Sequence, residues 1–184
     1  MNPVHVGLVR HFPVRQNFPT GWRTTQELAE WYRSYDLAET HPIPCDLGGI
    51  AWRVCLCSDL PRARVTAEAL FRGVPEPTPL LREASLEPFA TGRLRLPVFV
   101  WKWLLRLAWT SGHASQRACR DDMYRRVHGV ADRLAAVEVD TLVVSHAGTM
   151  SFLSRELRRR GFDGPRLGVA KHARLYLYSR HRTS

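Results

Sequence analysis

Two apolar, β-branched runs that each end in a histidine constrain this chain more than any other feature. The first is Leu-Val-Arg-His-Phe at 8–12, and the second is Val-Val-Ser-His-Ala-Gly-Thr at 143–149. Such runs are typical of buried strands, and ligands of open α/β sheets bind at the edge where such strands end. Because Arg10 stands beside one histidine, the pattern indicates an anion site suited to phosphoryl chemistry.

Predicted strands and helices alternate along the chain. The predicted strands cover residues 4–10, 53–57, 77–81, 140–145 and 174–179. The predicted helices begin at Thr24 and near Pro61, and two more cover about 115–137 and 149–160. This alternation predicts a layered α/β fold, and a length of 184 residues fits one compact domain over 1–184.

Local signals set the starts of two helices. Thr24 and Glu27 have the spacing of a capping box, and Ser58 or Asp59 is expected to cap the helix at Pro61. After the first of these starts, helical spacing predicts a buried stripe, made of Leu28, Trp31, Tyr32 and Tyr35.

The charge is strongly positive, with a formal net charge of +10. A basic chain favours acidic partners such as nucleic acid. However, almost all of the cations are arginine, with only Lys102 and Lys171 as lysines. A strong arginine bias is also typical of a GC-rich genome, so no nucleic-acid partner is expected.

The cysteines and the N-terminus favour a reducing compartment. Cys55 and Cys57 are two residues apart in a predicted strand, a spacing that suits neither a zinc site nor a C-x-x-C redox pair. Reduced, mostly buried thiols are therefore expected. No long apolar stretch precedes the first strand, so no signal peptide is predicted and a cytoplasmic location is expected.

A tryptophan-rich helical insertion is predicted at about 88–115. Its apolar part, 97–109, is too short to span a bilayer and carries Lys102 and Arg106, so no membrane span is expected. The segment could be a core helix, a lid, a dimer face or an interfacial anchor. We favour a core helix or a lid, and the sequence leaves the oligomeric state open.

Four motifs in order resemble one family. They are Arg-His-Phe at 10–12, Ser-Asp-Leu-Pro-Arg-Ala-Arg-Val-Thr-Ala at 58–67, Leu-Arg-Glu at 81–83 and Ser-His-Ala-Gly-Thr at 145–149. Their order resembles that of the histidine phosphatase superfamily, also called phosphoglycerate-mutase-like. The resemblance covers about residues 4–180. It implies a three-layer α/β/α sandwich with a mostly parallel central sheet.

The resemblance also implies a set of catalytic roles. His11 would attack phosphorus and become a phosphohistidine, while Arg10 and Arg62 would hold the phosphate oxygens. His146 would be a further donor to the phosphate. Glu83 would give a proton to the leaving alcohol and later act as the base for water. Arginine suits the binding role because its guanidinium matches phosphate oxygens in bidentate fashion.

Five more residues are candidates for substrate binding. Asn17 falls where the family has a phosphate-contacting asparagine, and the Gly148 amide lies near a helix N-terminus that could add to the anion pocket. Arg15 could contact the phosphate or be a solvated loop charge. Phe12 could reshape the pocket floor or face the leaving group, and Trp22 could line the mouth or simply pack.

Some alternatives stay open. Glu87 lies four residues after Glu83 and could supply the carboxylate instead. Four other histidines are expected on the surface or on a helix face: His113, His128, His172 and His181. No metal-ligand spacing is visible, and no metal or cofactor is expected, since arginines can neutralise the phosphate charge.

The chain departs from the family pattern at Phe12, where a glycine is usual, and at Pro13 and Val14. The expected activity is hydrolysis of a small-molecule phosphomonoester. The departures leave open a phosphate- or phosphoprotein-binding module without turnover. A phosphomutase is a further alternative, although 184 residues leave little room for the segment that shelters a mutase intermediate.

Overall fold

The computed structural model describes residues 3–181, and its secondary structure alternates as the sequence predicts. The strands are β1 (Val4–Arg10), β2 (Trp22–Arg23), β3 (Val54–Ser58), β4 (Glu76–Thr78), β5 (Leu96–Pro97), β6 (Thr141–Ser145) and β7 (Leu175–Arg180). The helices are α1 (Thr25–Leu37), α2 (Pro61–Leu70), α3 (Val98–Ser111), α4 (Ala114–Ala136) and α5 (Ala147–Arg159), and a short 3-10 helix covers Pro79–Leu81.

A five-stranded sheet of order β4-β3-β6-β1-β7 forms the centre of the fold. The first four strands are parallel, and the edge strand β7 runs antiparallel to β1. β2 and β5 form a separate two-stranded ribbon. The protein is therefore an α/β fold with a mostly parallel central sheet, as predicted.

Side chains alternate between the two faces of the sheet, and helices cover both faces. Leu8, Leu56 and Val143 point toward a core that also includes residues of α4 and α5. The opposite face carries Cys55 and Val144, which pack in a second core with residues of α2. This alternation explains why the strands are apolar throughout, since both faces of a parallel sheet are buried.

Most predicted elements are confirmed, with small shifts at their ends. The capping box is present, since the Thr24 hydroxyl accepts from the Glu27 amide and Glu27 accepts from the Thr24 amide. The predicted strand 77–81 is wrong in its second half, because the chain turns into the 3-10 helix at Pro79. Proline lacks the N–H that a continuing strand would need.

The predicted buried stripe of α1 is right for Leu28 and wrong for Tyr32. Leu28 is buried, whereas Tyr32 is exposed and Trp31 and Tyr35 are half-buried. These rings stack on one another, with 5.0 Å between the ring centroids of Trp31 and Tyr35. The reason is that α1 packs against α2 rather than directly on the sheet, so that only part of its apolar side is covered.

The tryptophan-rich insertion forms the helix α3. One of its sides is a core contact, as predicted, because Trp101 is buried and donates from Nε1 to the Arg23 carbonyl at 2.7 Å. In residues 3–181, no helix combines the length and the apolar character needed to cross a membrane.

Candidate active site

The two strand-end histidines lie side by side. β1 and β6 are adjacent parallel strands in which Arg10 is paired with Ser145, so the next residue of each strand is a histidine at the same level. The His11 amide continues the ladder by donating to the Ser145 carbonyl at 3.0 Å. The ring centroids of His11 and His146 are 5.1 Å apart. The register of two parallel strands thus brings together residues 135 positions apart in the sequence.

The tautomer of His11 follows from its hydrogen bond. Nδ1 lies 2.7 Å from the Phe12 carbonyl oxygen. A carbonyl only accepts, so Nδ1 carries the proton and Nε2 keeps a free lone pair. Burial, reinforced by the charges of Arg62, His172 and Arg10, lowers the pKa of His11 to about 3. The ring is therefore neutral near pH 7, the state in which an imidazole can act as a nucleophile.

His146 occupies the N-cap position of α5. Its Nε2 lies 2.9 Å from the Ser58 hydroxyl, at the end of the neighbouring strand β3. Among the described residues its Nδ1 has no hydrogen-bond partner, although the side chain is 1% exposed. Burial, together with the positive charge of Arg62, holds the pKa of His146 well below its usual value, so this ring is neutral as well.

Two guanidinium groups flank the histidines. Arg62 lies in the first turn of α2 and is 4% exposed, and its Nη1 donates to Asp36 at 2.7 Å. Arg10 donates from Nη1 to the Ala170 carbonyl at 2.9 Å. The Nε–H group of each arginine is buried and, within residues 3–181, has no partner.

These contacts leave buried nitrogen atoms without a hydrogen-bond partner, among the described residues, beside two guanidinium groups. Asp36 pairs with one of the two guanidinium groups, that of Arg62, and its own side chain is 45% exposed. A buried donor without a partner costs about 1–3 kcal/mol. A tetrahedral oxyanion between the rings and the guanidinium groups would accept from such donors and offset the charge.

The start of α2 differs from the predicted cap. Leu60 is the N-cap residue and makes no side-chain cap, so the prediction of Ser58 or Asp59 is wrong. The Ser58 hydroxyl faces His146, and Asp59 accepts two hydrogen bonds from Arg82 at 2.7 and 2.6 Å. Both side chains are thus engaged by residues from other segments, His146 and Arg82, and neither caps the first turn of α2.

Glu83 lies against the first turn of α5. Its carboxylate accepts from the amides of Gly148 at 3.2 Å, Thr149 at 3.0 Å and Ala84 at 3.0 Å. A Cβ atom at Gly148 would lie 2.6 Å from Oε1 of Glu83, so glycine is needed for this approach. The negative charge of Glu83 also acts on Arg10, which places it within electrostatic range of the cluster.

The same contacts change the interpretation of Gly148. The sequence suggested its amide as a donor to the anion pocket, but here that amide donates to the Glu83 carboxylate. The helix terminus therefore holds a protein carboxylate. The Glu87 carboxylate accepts from the Cys119 thiol of α4 at 3.4 Å, and its backbone amide donates to Gln116 of the same helix. Of the two acidic candidates, the geometry favours Glu83.

Phe12 does not face the leaving-group side as the sequence allowed. Its side chain is 2% exposed, and its amide donates to the Thr66 hydroxyl of α2 at 2.9 Å. The aromatic ring thus fills the interior beneath the strand end. Thr66 in turn donates to the Arg62 carbonyl at 2.7 Å, which ties the residue after His11 to the helix that carries Arg62.

Three other candidates are exposed and have their contacts elsewhere. Arg15 and Asn17 are exposed in the loop after β1, where the Asn17 carbonyl accepts from Trp31. Trp22 is 61% exposed and pairs with Pro97 in the ribbon. In the part of the chain that the structure describes, no hydrogen bond, ion pair or ring contact links any of the three to His11 or His146.

His172 is a member of the cluster that the sequence did not reveal. It was expected on the surface, which is wrong: it is half-buried, with its ring centroid 5.0 Å from that of His11. Its Nδ1 donates to the His11 carbonyl at 2.7 Å. Burial, with a contribution from Arg10, lowers its pKa. The missing signal was the antiparallel register of β7, in which Leu175 pairs with Val9 and residues just before β7 reach the end of β1.

Comparisons with known proteins agree with these motifs. The family model described as the histidine phosphatase superfamily (branch 1) matches residues 19–182, a span that includes Arg62, Glu83 and His146 but begins after His11. No curated protein sequence matches the chain.

Two solved structures are similar at low sequence identity. One is an Escherichia coli K-12 protein named as a candidate alpha-ribazole-5'-P phosphatase, with 20% identity, a TM-score of 0.47 and coverage of 84% of this chain and 79% of that one. The other is Bacillus stearothermophilus YhfR, with 17% identity, a TM-score of 0.48 and coverage of 85% and 80%. At TM-scores below 0.5, neither similarity assigns an activity to this chain.

Proposed function

The chain belongs to branch 1 of the histidine phosphatase superfamily, and on that premise we propose that it hydrolyses phosphomonoesters through a phosphohistidine on His11. The observation that carries this proposal is the set of buried, unpartnered nitrogen atoms around a neutral imidazole. The Nε–H groups of Arg10 and Arg62 and the Nδ1 atom of His146 are buried, and no partner for them exists among residues 3–181. A phosphoryl group is an anion that such a set of donors can bind.

The proposed first step is an in-line displacement. Nε2 of His11 forms a bond to phosphorus, and the bond between phosphorus and the ester oxygen breaks. Arg10 and Arg62 stabilise the negative charge on the phosphoryl oxygens, and His146 contributes a further hydrogen bond. Glu83 gives a proton to the leaving oxygen.

The second step returns the protein to its starting state. Glu83, now a carboxylate, takes a proton from a water molecule that attacks phosphorus, and the bond between phosphorus and Nε2 of His11 breaks. Inorganic phosphate leaves, and Glu83 is protonated for the next turnover. A small-molecule phosphomonoester is the proposed substrate, and no further cofactor is needed for this sequence of steps.

The proposal is tested by measuring, in one experiment, the inorganic phosphate released and the ³²P label bound to the protein. Purified protein incubated with ³²P-labelled phosphomonoester should release inorganic phosphate and, after rapid quenching, carry an acid-labile, base-stable label on His11. Protein that takes up label but releases it only to a second hydroxyl, as in isomerisation of phosphoglycerate, would support the mutase instead. Protein that binds phosphate without forming a labelled histidine would support the binding module.

Glu83→Gln should slow the first step in a way that depends on the leaving group. For an alkyl phosphate, whose alkoxide must be protonated, release in the first turnover should fall by about 10²–10⁴-fold. For p-nitrophenyl phosphate the loss in the first turnover should be much smaller, because nitrophenolate leaves without a proton. The rates are measured by rapid-quench kinetics under single-turnover conditions.

Glu87→Gln is the matched control for this prediction, since it makes the same chemical change four residues away, beside Gln116. It should leave both first-turnover rates near wild type. If Glu87→Gln shows the leaving-group dependence and Glu83→Gln does not, the acid is Glu87. An equal loss for both leaving groups in Glu83→Gln would contradict the role of proton donor.

His172→Ala should lower kcat by about ten-fold, within the range that misplacement of a reacting group produces. We assign it as a positioning residue, because its Nδ1–H group holds the His11 carbonyl and its ring packs on the His11 ring. His172→Asn keeps a donor near the place of Nδ1 and should restore most of kcat. Steady-state kinetics of the three proteins give the result, and equal losses in both variants would exclude positioning through this hydrogen bond.

A further inference from the structure

The helix α3 has two apolar sides, and only one of them is used by the fold. The buried side carries Val98, Trp101, Leu105 and Ala108. The other side carries Phe99, Trp103 and Leu107, which are 73%, 64% and 48% exposed. These three residues are four positions apart, so they form one continuous stripe along the helix. A row of large apolar side chains exposed to solvent is typical of an interaction surface.

The stripe continues onto the neighbouring ribbon. Trp22 in β2 pairs with Pro97, the residue just before α3, and Trp22 and Phe99 both line one groove. Leu94, which is 49% exposed, precedes the same strand β5. We call the set Trp22, Leu94, Phe99, Trp103 and Leu107 the α3 face.

The charged side chains of the segment that carries α3 are all basic. Residues 88–111 contain four basic side chains and no acidic one, the basic residues being Arg93, Arg95, Lys102 and Arg106. Lys102 and Arg106 follow Phe99 and Trp103 by three positions, so they border the stripe on one side of the helix. Arg95 pairs with Glu27 at 2.6 Å, and Lys102 remains exposed while its Nζ lies 4.1 Å from the Phe18 ring centroid.

We propose that the α3 face binds the surface of an anionic phospholipid bilayer, with α3 lying parallel to the membrane plane. Tryptophan and phenylalanine side chains insert at the boundary between headgroups and acyl chains, while basic side chains at the rim contact acidic headgroups. α3 has 14 residues, which is too short to cross a bilayer and long enough to lie on one.

Charge distinguishes this occupant from a second copy of the chain. Two copies meeting through the α3 face would bring Lys102 and Arg106 of one near the same cations of the other, with no acidic residue from 88–111 to pair with them. Nucleic acid would satisfy the cations, but it has no apolar layer to receive Phe99 and Leu107. A bilayer with acidic headgroups satisfies both the cations and the stripe.

Vesicle flotation tests the proposal on the intact protein. The wild type should float with vesicles that contain about 30% phosphatidylglycerol in phosphatidylcholine, and should bind pure phosphatidylcholine at least about ten-fold more weakly. Lys102→Glu/Arg106→Glu should weaken binding to the anionic vesicles by at least about 30-fold. Phe99→Ser/Trp103→Ser should abolish the binding that persists in high salt, because that part rests on apolar insertion.

Val74→Ser/Val169→Ser is the matched control, since it removes two other exposed apolar side chains, which are 90% and 74% exposed. It should float as the wild type does. A readout without substitution is quenching of tryptophan fluorescence by brominated lipids, which should occur only in anionic vesicles. Failure to float or to be quenched would overturn the proposal.

Two further outcomes would assign the α3 face to another occupant and overturn the proposal. One is a dimer in analytical ultracentrifugation that Phe99→Ser/Trp103→Ser converts to a monomer, together with no flotation. The other is salt-sensitive binding of an oligonucleotide that Lys102→Glu/Arg106→Glu abolishes, again with no flotation. Both variants are compared with wild type by circular dichroism, and the basal phosphatase activity should be unchanged in each.

Discussion

His11→Ala is expected to abolish release of phosphate from p-nitrophenyl phosphate, with kcat reduced by at least about 10⁴-fold. The physical reason is that the variant lacks the buried imidazole whose Nε2 keeps a free lone pair, since its Nδ1 donates to the Phe12 carbonyl. Arg10 and Arg62 remain, so the variant should still bind inorganic phosphate. Colorimetric assay gives kcat, and calorimetry gives the affinity for phosphate.

Two comparisons make this result specific to His11. His181→Ala removes an exposed histidine near the end of the described chain and should leave kcat unchanged. His146→Ala should slow turnover but still allow label to accumulate on His11, because His146 is proposed as a donor rather than as the nucleophile. Full activity in His11→Ala, or label on His146 in the wild type, would contradict the proposed mechanism.

Acid is expected to destabilise this protein steeply between about pH 6.5 and pH 3, because of the buried neutral histidines. Burial lowers the pKa of His11 to about 3 and that of His146 well below its usual value. Well inside this interval the unfolded chain binds a proton at His11 and the folded chain does not, and His146, whose pKa is also lowered, contributes in the same direction. The free energy of unfolding therefore falls by about 1.4 kcal/mol per pH unit for each histidine as the pH decreases.

The double variant His11→Gln/His146→Gln isolates this effect from the carboxylates that also titrate. Urea unfolding in phosphate-free buffer at several pH values gives the slope of stability against pH. The slope of the double variant should be smaller than that of the wild type by up to about 2.8 kcal/mol per pH unit, which is twice the value for one proton. His181→Gln is the control for the substitution itself. Parallel slopes in wild type and double variant would mean that neither ring is held neutral by the fold.

Local sequence signals predicted the strands and several helix ends well. The apolar, β-branched runs before His11 and His146 indicated buried strands. The capping box at Thr24 indicated the start of α1, because its two hydrogen bonds lie within four residues. The grouping of Arg10, Arg62 and His146 came instead from the resemblance of the four motifs to the family. These signals are short-range or carried by residue type, so no tertiary contact is needed to recognise them.

The wrong predictions concern side chains and amides whose contacts are set by residues distant in the sequence. Ser58 and Asp59 have good capping chemistry, but His146 and Arg82 engage them instead. The Gly148 amide, at the start of a helix, is not free, because it donates to the carboxylate of Glu83 from another segment. Tyr32 has the spacing of a core residue, yet α1 lies over α2 and leaves it exposed. In each case a contact between remote segments overrides a correct local preference.

By itself, the sequence determined that this protein alternates strands with helices and that two strands each end in a histidine. Only the tertiary structure decided which ring nitrogens of those histidines have hydrogen-bond partners. Those partners are Phe12 and Ser58, and the register of β1 against β6 brings the two rings together. The tertiary structure also decided that His172 joins them, through an antiparallel edge strand. Local chain chemistry sets secondary structure, whereas protonation and charge at a buried site depend on which distant groups exclude water from it.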